Sequence, residues 1–259
     1  MTHNTTRREA IRLMGITAGA AAMSPVFAGN AFAEKEKDTK IEPPWPYEKI
    51  KPKEAAERTY KGYYEAQCMY GVFWGVIGEL AERRGAPYNT FPVKMLKYGA
   101  GGVAVWGSLC GALNGAAAAI YLVSPDPEPV VEELFGWHQE VKLPDYRPQK
   151  AKYSIVKSVA RSELCHVSIS NWIKISGLQL TSKERSERCA QITASVSRYT
   201  AKLLNQQAKG KHKALYPISG QTKACRDCHD KGGSREDTRG KLDCTICHFN
   251  LGTKHPAKK

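Results

Sequence analysis

Apolar residues at helical spacing dominate the middle of the chain and predict a bundle of helices. The clearest case begins near Lys53, where large apolar side chains recur every three or four positions as far as Leu80. Clusters of glycine and proline separate this segment from several others. We predict helices over residues 53–84, 91–98, 103–123, 129–139, 150–175 and 182–208. Because no stretch alternates convincingly between apolar and polar residues, the predicted fold class is mainly α, with a helical domain over residues 53–208.

Arg7 and Arg8 open a segment that has the features of an export signal. A short apolar run follows the pair, and Ala-Phe-Ala at residues 31–33 fits a signal-peptidase site. The pair is similar to a twin-arginine signal, and an ordinary secretory signal is the alternative. We therefore predict that residues 1–33 are an export signal and that the protein is periplasmic. Residues 34–52 are charged and rich in proline, as expected of an extended leader.

The composition describes a globular and strongly basic protein. Of its 259 residues, 42% are hydrophobic, and 39 Lys and Arg outnumber 25 Asp and Glu to give a net charge of +14. A hydrophobic core can form, which excludes a disordered chain. We expect no membrane span in the mature protein, because the apolar runs are short or rich in small residues. Nucleic acid is a poor partner for an exported protein, so the charge indicates acidic redox partners or simply a well-solvated surface.

The last fifty residues differ in composition from the helical domain. Residues 209–259 contain few large apolar side chains, and residues 201–259 carry 13 Lys and Arg against 5 Asp and Glu. A segment of this kind cannot bury enough apolar surface to fold alone. We therefore expect residues 209–259 to form a small, strand-poor segment that is organised by bound cofactors.

Two C-x-x-C-H motifs lie within this last segment. One reads C-R-D-C-H from residue 225, and the other reads C-T-I-C-H from residue 244. This pattern is the attachment signature of haem c, in which two thiols bond the porphyrin and the histidine binds the iron. The two motifs therefore predict two covalently bound haems, held by Cys225, Cys228, His229, Cys244, Cys247 and His248.

Zinc and disulfide bonds are the alternatives for the same four cysteines. The gap of 15 residues between the two pairs falls within the spacing of a zinc ribbon. A disulfide within either pair would close a strained ring. The histidine after each pair favours haem, and so does the export signal, because haem c is attached outside the cytoplasm.

Each haem iron needs a second axial ligand or an open position, and four histidines of the predicted mature chain lie outside the motifs. His212 and His255 flank the motifs and are the first candidates, with His166 and His138 as alternatives. His138 follows a tryptophan and is equally interpreted as a surface residue. No methionine follows Met95, which disfavours His/Met ligation. Bis-histidine ligation leaves no open position on iron and indicates electron transfer.

Four further cysteines are distributed one to each of four predicted helices. They are Cys68, Cys110, Cys165 and Cys189. Together they can form a tetrathiolate site for an iron–sulfur cluster or zinc, two disulfides, or four buried free thiols. A twin-arginine signal exports folded proteins, which suits a cofactor that is inserted before export. We therefore favour an iron–sulfur cluster.

The sequence around Cys110 resembles a family of redox-active proteins named after a C…GCAxxG…C…C pattern. Two glycines stand at positions 101 and 102, and residues 110–115 read C-G-A-L-N-G, with isolated cysteines before and after them. Leu109 replaces the glycine before the cysteine, and Gly111 is inserted after it. The resemblance covers about residues 60–208.

This domain followed by two C-x-x-C-H motifs resembles the split-Soret cytochrome c family. The resemblance implies a helical homodimer with two haems in each subunit, close enough together to split the Soret band. It implies bis-histidine ligation, with one axial histidine that crosses from the partner subunit. It also implies an iron–sulfur centre held by the cysteines of the helical domain.

The leading functional hypothesis is an extracytoplasmic dihaem cytochrome that transfers electrons between redox partners. A small reductase, with its chemistry at the cysteine site and haems that supply electrons, is the alternative. A zinc-ribbon binding module is a third hypothesis. The sequence contains no Gly-rich phosphate loop, nucleophile elbow or H-E-x-x-H motif that would indicate nucleotide or hydrolase chemistry.

Overall fold

The computed structural model describes residues 42–249 and residue 255, and these residues are mainly helical. The predicted export signal over 1–33 and the first part of the leader lie outside the described residues. The α-helices are α1 (Pro52–Arg84), α2 (Gly111–Val123), α3 (Pro127–Glu140), α4 (Cys165–Ser176), α5 (Lys183–Gln207) and α6 (Gly220–His229). The shorter elements are 3₁₀ helices at Val93–Gly99 and Cys244–Ile246, and the antiparallel strands β1 (Lys142–Leu143) and β2 (Ser158–Val159). The predicted mainly α fold class is confirmed.

Helices α1 and α5 form the centre of the fold. Helix α1 packs along α5 and also against α2. Gly75 allows the close approach, because a Cβ atom there would lie 2.8 Å from the Ser197 hydroxyl of α5. Phe73, Val76 and Ile77 beside it are fully buried. Burial of one such side chain contributes about 1.5–3 kcal/mol, so α1 supplies much of the apolar core.

The helix ends follow signals that are visible in the sequence. Pro52 and Pro127 lie in the first turns of α1 and α3, where a missing N–H group costs nothing. The hydroxyl of Ser182 accepts a hydrogen bond from the Arg185 N–H at 3.1 Å and caps α5. Gly177 ends α4 in the left-handed conformation, with φ at 68°.

The predicted helix over 103–123 begins only at Gly111, so the prediction is wrong for its first eight residues. Residues 103–105 all have positive φ angles between 49° and 68°, which an α-helix does not accommodate. The backbone after them pairs with a distant segment instead, since the Cys110 N–H donates to the Glu163 carbonyl at 2.8 Å. Tertiary hydrogen bonds therefore replace helical ones in this segment.

The predicted helix over 150–175 is also too long, because α4 begins at Cys165. The residues before α4 run without helix and contain β2, a strand that the sequence analysis did not predict. Side chains of α4 and α5 hold this segment by hydrogen bonds to its backbone carbonyls. The Trp172 indole N–H donates to the Val156 carbonyl at 3.0 Å, and the Gln191 amide donates to the Tyr153 carbonyl at 2.9 Å.

The chain after α5 contributes little to the core. Among its described residues, only Thr222 is buried. Polar contacts attach this tail to α3, where the Glu133 carboxylate accepts a hydrogen bond from the Tyr216 N–H at 2.9 Å. The Lys241 ammonium also lies 2.6 Å from the Glu132 carboxylate. The tail is thus held to the helical domain mainly by hydrogen bonds and charge.

Candidate functional site

The four cysteines of the helical domain line one small cavity. Cys68 comes from α1, Cys110 from the start of α2, Cys165 from the start of α4 and Cys189 from α5, and all four are free cysteines. The cavity measures about 20 Å³, which is room for about one water molecule. The structure therefore brings together all four residues that the sequence analysis proposed as cluster ligands.

Three of these cysteines lie at helix N-termini. Helix α1 is interrupted at Ala66 and Gln67, whose backbone angles are not helical, so Cys68 begins the second half of that helix. Cys110 is the N-cap residue of α2, and Cys165 is the first residue of α4. A helix N-terminus carries partial positive charge and unpaired N–H groups, and stabilises a nearby anion by about 0.3–1 kcal/mol. The backbone around the cavity thus favours negatively charged sulfur.

Burial and mutual repulsion act against ionisation of the bare thiols. Burial is the main cause that raises the pKa of Cys165 to about 12, and the neighbouring thiols of Cys110 and Cys189 add to it. Burial and neighbouring thiols likewise raise the pKa of Cys68 and of Cys110. Four thiolates in so dry a space therefore need a cation, and a four-cysteine donor set suits iron–sulfur clusters and structural zinc. Within the described ranges, no three His, Cys, Asp or Glu side chains are already close enough together to hold one metal ion.

Two arginines that the sequence analysis missed add positive charge beside the cavity. The Arg188 side chain is buried, and it donates to the Ser168 carbonyl at 3.0 Å and to the Ser168 hydroxyl at 2.9 Å. Its charge partly offsets the rise in the pKa of Cys110 and of Cys165 that burial causes. The Arg185 guanidinium contacts the Cys189 thiol. An arginine directly before a candidate ligand was the signal available in the sequence.

Two glycines in the C-G-A-L-N-G segment allow the cysteine-bearing elements to meet. A Cβ atom at Gly111 would lie 2.2 Å from the Gly99 carbonyl oxygen and 2.9 Å from the Cys68 Cβ. A Cβ atom at Gly115 would lie 2.3 Å from the Met69 carbonyl oxygen. Because any side chain would push α2 away from α1 at these positions, the glycines set the separation between two of the four cysteines.

The two C-x-x-C-H motifs lie side by side in the tail. The first forms the last turns of α6, and the second spans the 3₁₀ helix at Cys244–Ile246 and the two residues after it. Cys225 and Cys228 are three positions apart on one helix and therefore face the same side. The thiols of Cys225 and Cys244 are in contact. Burial, and then this contact, raises the pKa of Cys244.

The rings of His229 and His255 lie close together in the tail. Their ring centroids are 6.2 Å apart, and the rings are inclined by 33°. A metal–nitrogen bond is about 2 Å long, so two imidazoles that share one metal ion have centroids roughly 6 Å apart. The Nδ1 atom of His229 lies 2.6 Å from a carboxylate oxygen of Asp237, which leaves Nε2 for a metal. This arrangement fits bis-histidine ligation by His229 and His255.

The other candidate histidines are distributed across the structure. The Nε2 atom of His212, in the loop after α5, is buried and has no hydrogen-bond partner among the described residues, which fits a metal ligand. His248 and His166 are exposed, the first after the second motif and the second near the start of α4. His138 is fully buried in α3, where burial and then the Arg188 charge lower its pKa to about 3. The interpretation of His138 as a surface residue is therefore wrong.

A second, larger cavity lies between α3 and the tail. It measures about 600 Å³, within the range of about 300–1,000 Å³ that is usual for cofactor sites. Apolar side chains from both sides form much of its wall, among them Phe135 of α3 and Ile218 and Leu242 of the tail. Leu242 lies two residues before Cys244, so the cavity adjoins the second motif in the chain.

Comparisons with known proteins place this geometry in a family. Residues 70–203 match the model of a family described as "Putative redox-active protein (C_GCAxxG_C_C)". The chain is also 39% identical over 215 residues to split-Soret cytochrome c of Desulfovibrio desulfuricans, which covers 79% of this chain and 77% of the relative. The chain belongs to the split-Soret cytochrome c family.

A solved structure of a split-Soret cytochrome c supports the same conclusion. It is described as "A novel iron centre in the split-Soret cytochrome c" from Desulfovibrio desulfuricans, and it matches this chain with a TM-score of 0.75. The two are 37% identical, and the match covers 82% of this chain and 95% of that chain. The resemblance inferred from the residues around Cys110 is thereby confirmed.

Membership of the split-Soret cytochrome c family favours haem over the zinc-ribbon interpretation of the tail cysteines.

Family membership does not by itself indicate that Asp237 contacts His229, and the sequence analysis also missed this residue. Asp237 lies eight residues beyond His229 in a segment without periodic pattern. From the sequence alone, the other acidic residues of the tail are equally plausible partners for the histidine. Only the folded loop shows that its carboxylate contacts the histidine.

Proposed function

We propose that the protein is an exported dihaem c-type cytochrome that transfers electrons between redox partners and carries an additional iron–sulfur centre. Family membership supports the cytochrome class. The observation that carries the proposal is the pair of C-x-x-C-H motifs, which lie side by side with the thiols of Cys225 and Cys244 in contact. Two such motifs in contact favour two haems that lie close together.

Each motif would hold one haem, which supplies a one-electron couple at its iron when bound. His229 would bind the first iron, and His255, whose ring centroid lies 6.2 Å from that of His229, is the candidate second ligand. His248 binds the second iron, and the buried Nε2 of His212 is the first candidate for its second ligand. The thioether bonds form at Cys225 and Cys228 in the first motif and at Cys244 and Cys247 in the second.

The four-cysteine cavity is the proposed site of the iron–sulfur centre. The related solved structure is described by its iron centre, and this cavity offers a donor set that suits iron. Helix N-termini and Arg188 provide positive charge that offsets the charge of bound thiolates.

A shared wall connects the cysteine cavity with the large cavity beside the tail. Leu109 and Leu164 line the large cavity beside the tail and form a β-bridge with each other. Each is followed directly by a proposed cluster ligand, Cys110 or Cys165. The Cys165 N–H also donates to the Ser108 carbonyl at 2.8 Å. A short covalent and hydrogen-bonded route therefore leads from the cysteine cavity to the large cavity, and electrons would cross here.

The proposed setting is the periplasm, where the protein acts as a homodimer and meets other redox proteins. The excess of Lys and Arg over residues 201–259 would steer acidic partners towards the haem segment. Such steering weakens as ionic strength rises. Within the described residues, no helix is both long enough and apolar enough to cross a membrane.

Counting haems tests the proposal. The full chain is produced in a host that attaches haem c, and its intact mass is measured. We expect the mass of the processed polypeptide plus two haems. A variant with Cys225→Ser and Cys228→Ser should lose one haem, and Cys244→Ser with Cys247→Ser should lose the other. The control Cys68→Ser should keep both, and a parent protein without covalent haem would contradict the proposal.

A further inference from the structure

The loop after the first motif folds back over it and brings a carboxylate to the proximal histidine. The Arg235 N–H donates to the Cys228 carbonyl at 2.9 Å, and the Thr238 N–H donates to the His229 carbonyl at 3.0 Å. Between these two backbone contacts, an Oδ1 atom of Asp237 lies 2.6 Å from the Nδ1 atom of His229. The carboxylate is thus held by a loop that is itself bonded to the motif.

This contact determines how the imidazole is presented. When Nδ1 of His229 donates to Asp237, Nε2 is the nitrogen left to bind a metal, and the His255 ring lies 6.2 Å away between centroids. A carboxylate partner orients a metal-bound imidazole and makes the ligating nitrogen more basic. Greater donation from that nitrogen stabilises the ferric state of a haem iron over the ferrous state.

The second motif has different surroundings, although its pattern is the same. The nearest acidic residue in sequence, Asp243, accepts hydrogen bonds from the Thr245 N–H at 2.9 Å and from the Thr245 hydroxyl at 2.7 Å. Asp243 therefore caps the 3₁₀ helix. His248 is exposed, and its backbone N–H donates to the Cys244 carbonyl at 2.9 Å. The two proximal histidines are thus held in different ways.

We propose that Asp237 is a positioning residue that orients the His229 imidazole and lowers the reduction potential of the haem at the first motif. This inference rests on the proposed attachment of that haem at Cys225 and Cys228. The Asp237 side chain is 54% exposed, so water screens part of its charge. Such partners change metal affinity by about 10–100-fold, and we take the low end, about tenfold, as the expected shift in the ferric-to-ferrous equilibrium of one haem. For a one-electron couple this corresponds to about 59 mV.

The experiment compares Asp237→Asn and Asp237→Ala with Glu236→Gln in the full haem-loaded protein. Asparagine keeps the size and an acceptor oxygen but removes the charge, and alanine removes the contact altogether. Glu236→Gln removes the same charge one position away, where the carboxylate accepts from the Gly232 N–H instead of from a histidine. Spectroelectrochemical titration resolves the two haem potentials, and electron paramagnetic resonance reports the spin state of each iron.

For Asp237→Asn we expect one reduction potential to rise by about 59 mV, a tenfold change in its ferric-to-ferrous equilibrium. The other potential should be unchanged. Asp237→Ala should add a high-spin signal, because the ring is no longer held in place. Unchanged potentials, or an equal rise in Glu236→Gln, would overturn the role of Asp237. Intact mass separates this outcome from failure of the proposed function: two bound haems with unchanged potentials reject Asp237 alone, whereas a chain without haem rejects the cytochrome proposal itself.

Discussion

Replacing Gly111 with alanine should disrupt the cysteine site without touching a cysteine. A Cβ atom at this position would lie 2.2 Å from the Gly99 carbonyl oxygen and 2.9 Å from the Cys68 Cβ, whereas ordinary contacts begin near 3.4 Å. The start of α2 must therefore move by about 1 Å, and Cys110 moves with it. Overpacking of this kind costs about 1–3 kcal/mol in the free energy of unfolding. For a chain of this size that lowers Tm by roughly 2–12 °C.

The assay measures non-haem iron per chain and thermal unfolding by circular dichroism. The matched control is Gly220→Ala, because a Cβ atom at Gly220 would have no heavy atom within 4 Å. We expect Gly111→Ala to lose non-haem iron and stability while both haems stay attached, and we expect the control to resemble the parent protein. Parent levels of non-haem iron and an unchanged Tm in Gly111→Ala would refute the claim that this glycine sets the geometry of the site.

Three other predictions follow from the same structure. Cys110→Ser should remove iron beyond the haem iron and leave both haems attached; unchanged total iron would reject the cluster. His255→Ala should give one high-spin haem in the absorption spectrum, whereas His166→Ala should stay fully low-spin; a low-spin His255→Ala protein would move the ligand elsewhere. In the folded protein the pKa of His138 is lowered from 6.5 to about 3. As the pH falls, the unfolded chain therefore binds a proton at this histidine before the folded protein does. Stability should therefore fall as the pH drops from 6.5 towards 3, by up to about 1.4 kcal/mol per pH unit, and His138→Gln should flatten this slope in thermal unfolding measured against pH.

Local spacing explains why some features could be predicted from the sequence. The helices predicted over 53–84 and 182–208 match α1 and α5 to within one residue at each end, because these helices carry long amphipathic patterns. The C-x-x-C-H motifs are likewise visible, since haem attachment needs two thiols and an imidazole at fixed local distances. Both kinds of feature depend on residues that are near each other in the chain.

Long-range contacts explain what could not be predicted. Residues 103–110 have a composition compatible with a helix, but their backbone bonds to the segment before α4, and no local pattern records that pairing. No sequence pattern indicates the interruption of α1 at Ala66 and Gln67 either. The meeting of Cys68 with three distant cysteines was suggested by their distribution over four predicted helices, by the export signal and by the family resemblance, and not by periodicity. Asp237 was missed for the same physical reason, because its contact depends on the folded loop.

The most direct test of the central claim is an absorption spectrum of the protein matured in a host that attaches haem c. The spectrum is recorded in the oxidised protein and again after reduction with dithionite. Two low-spin haems held close together predict a c-type spectrum with a doubled Soret peak. A protein with no Soret band in either state would assign the C-terminal cysteines to zinc or disulfides and contradict the account.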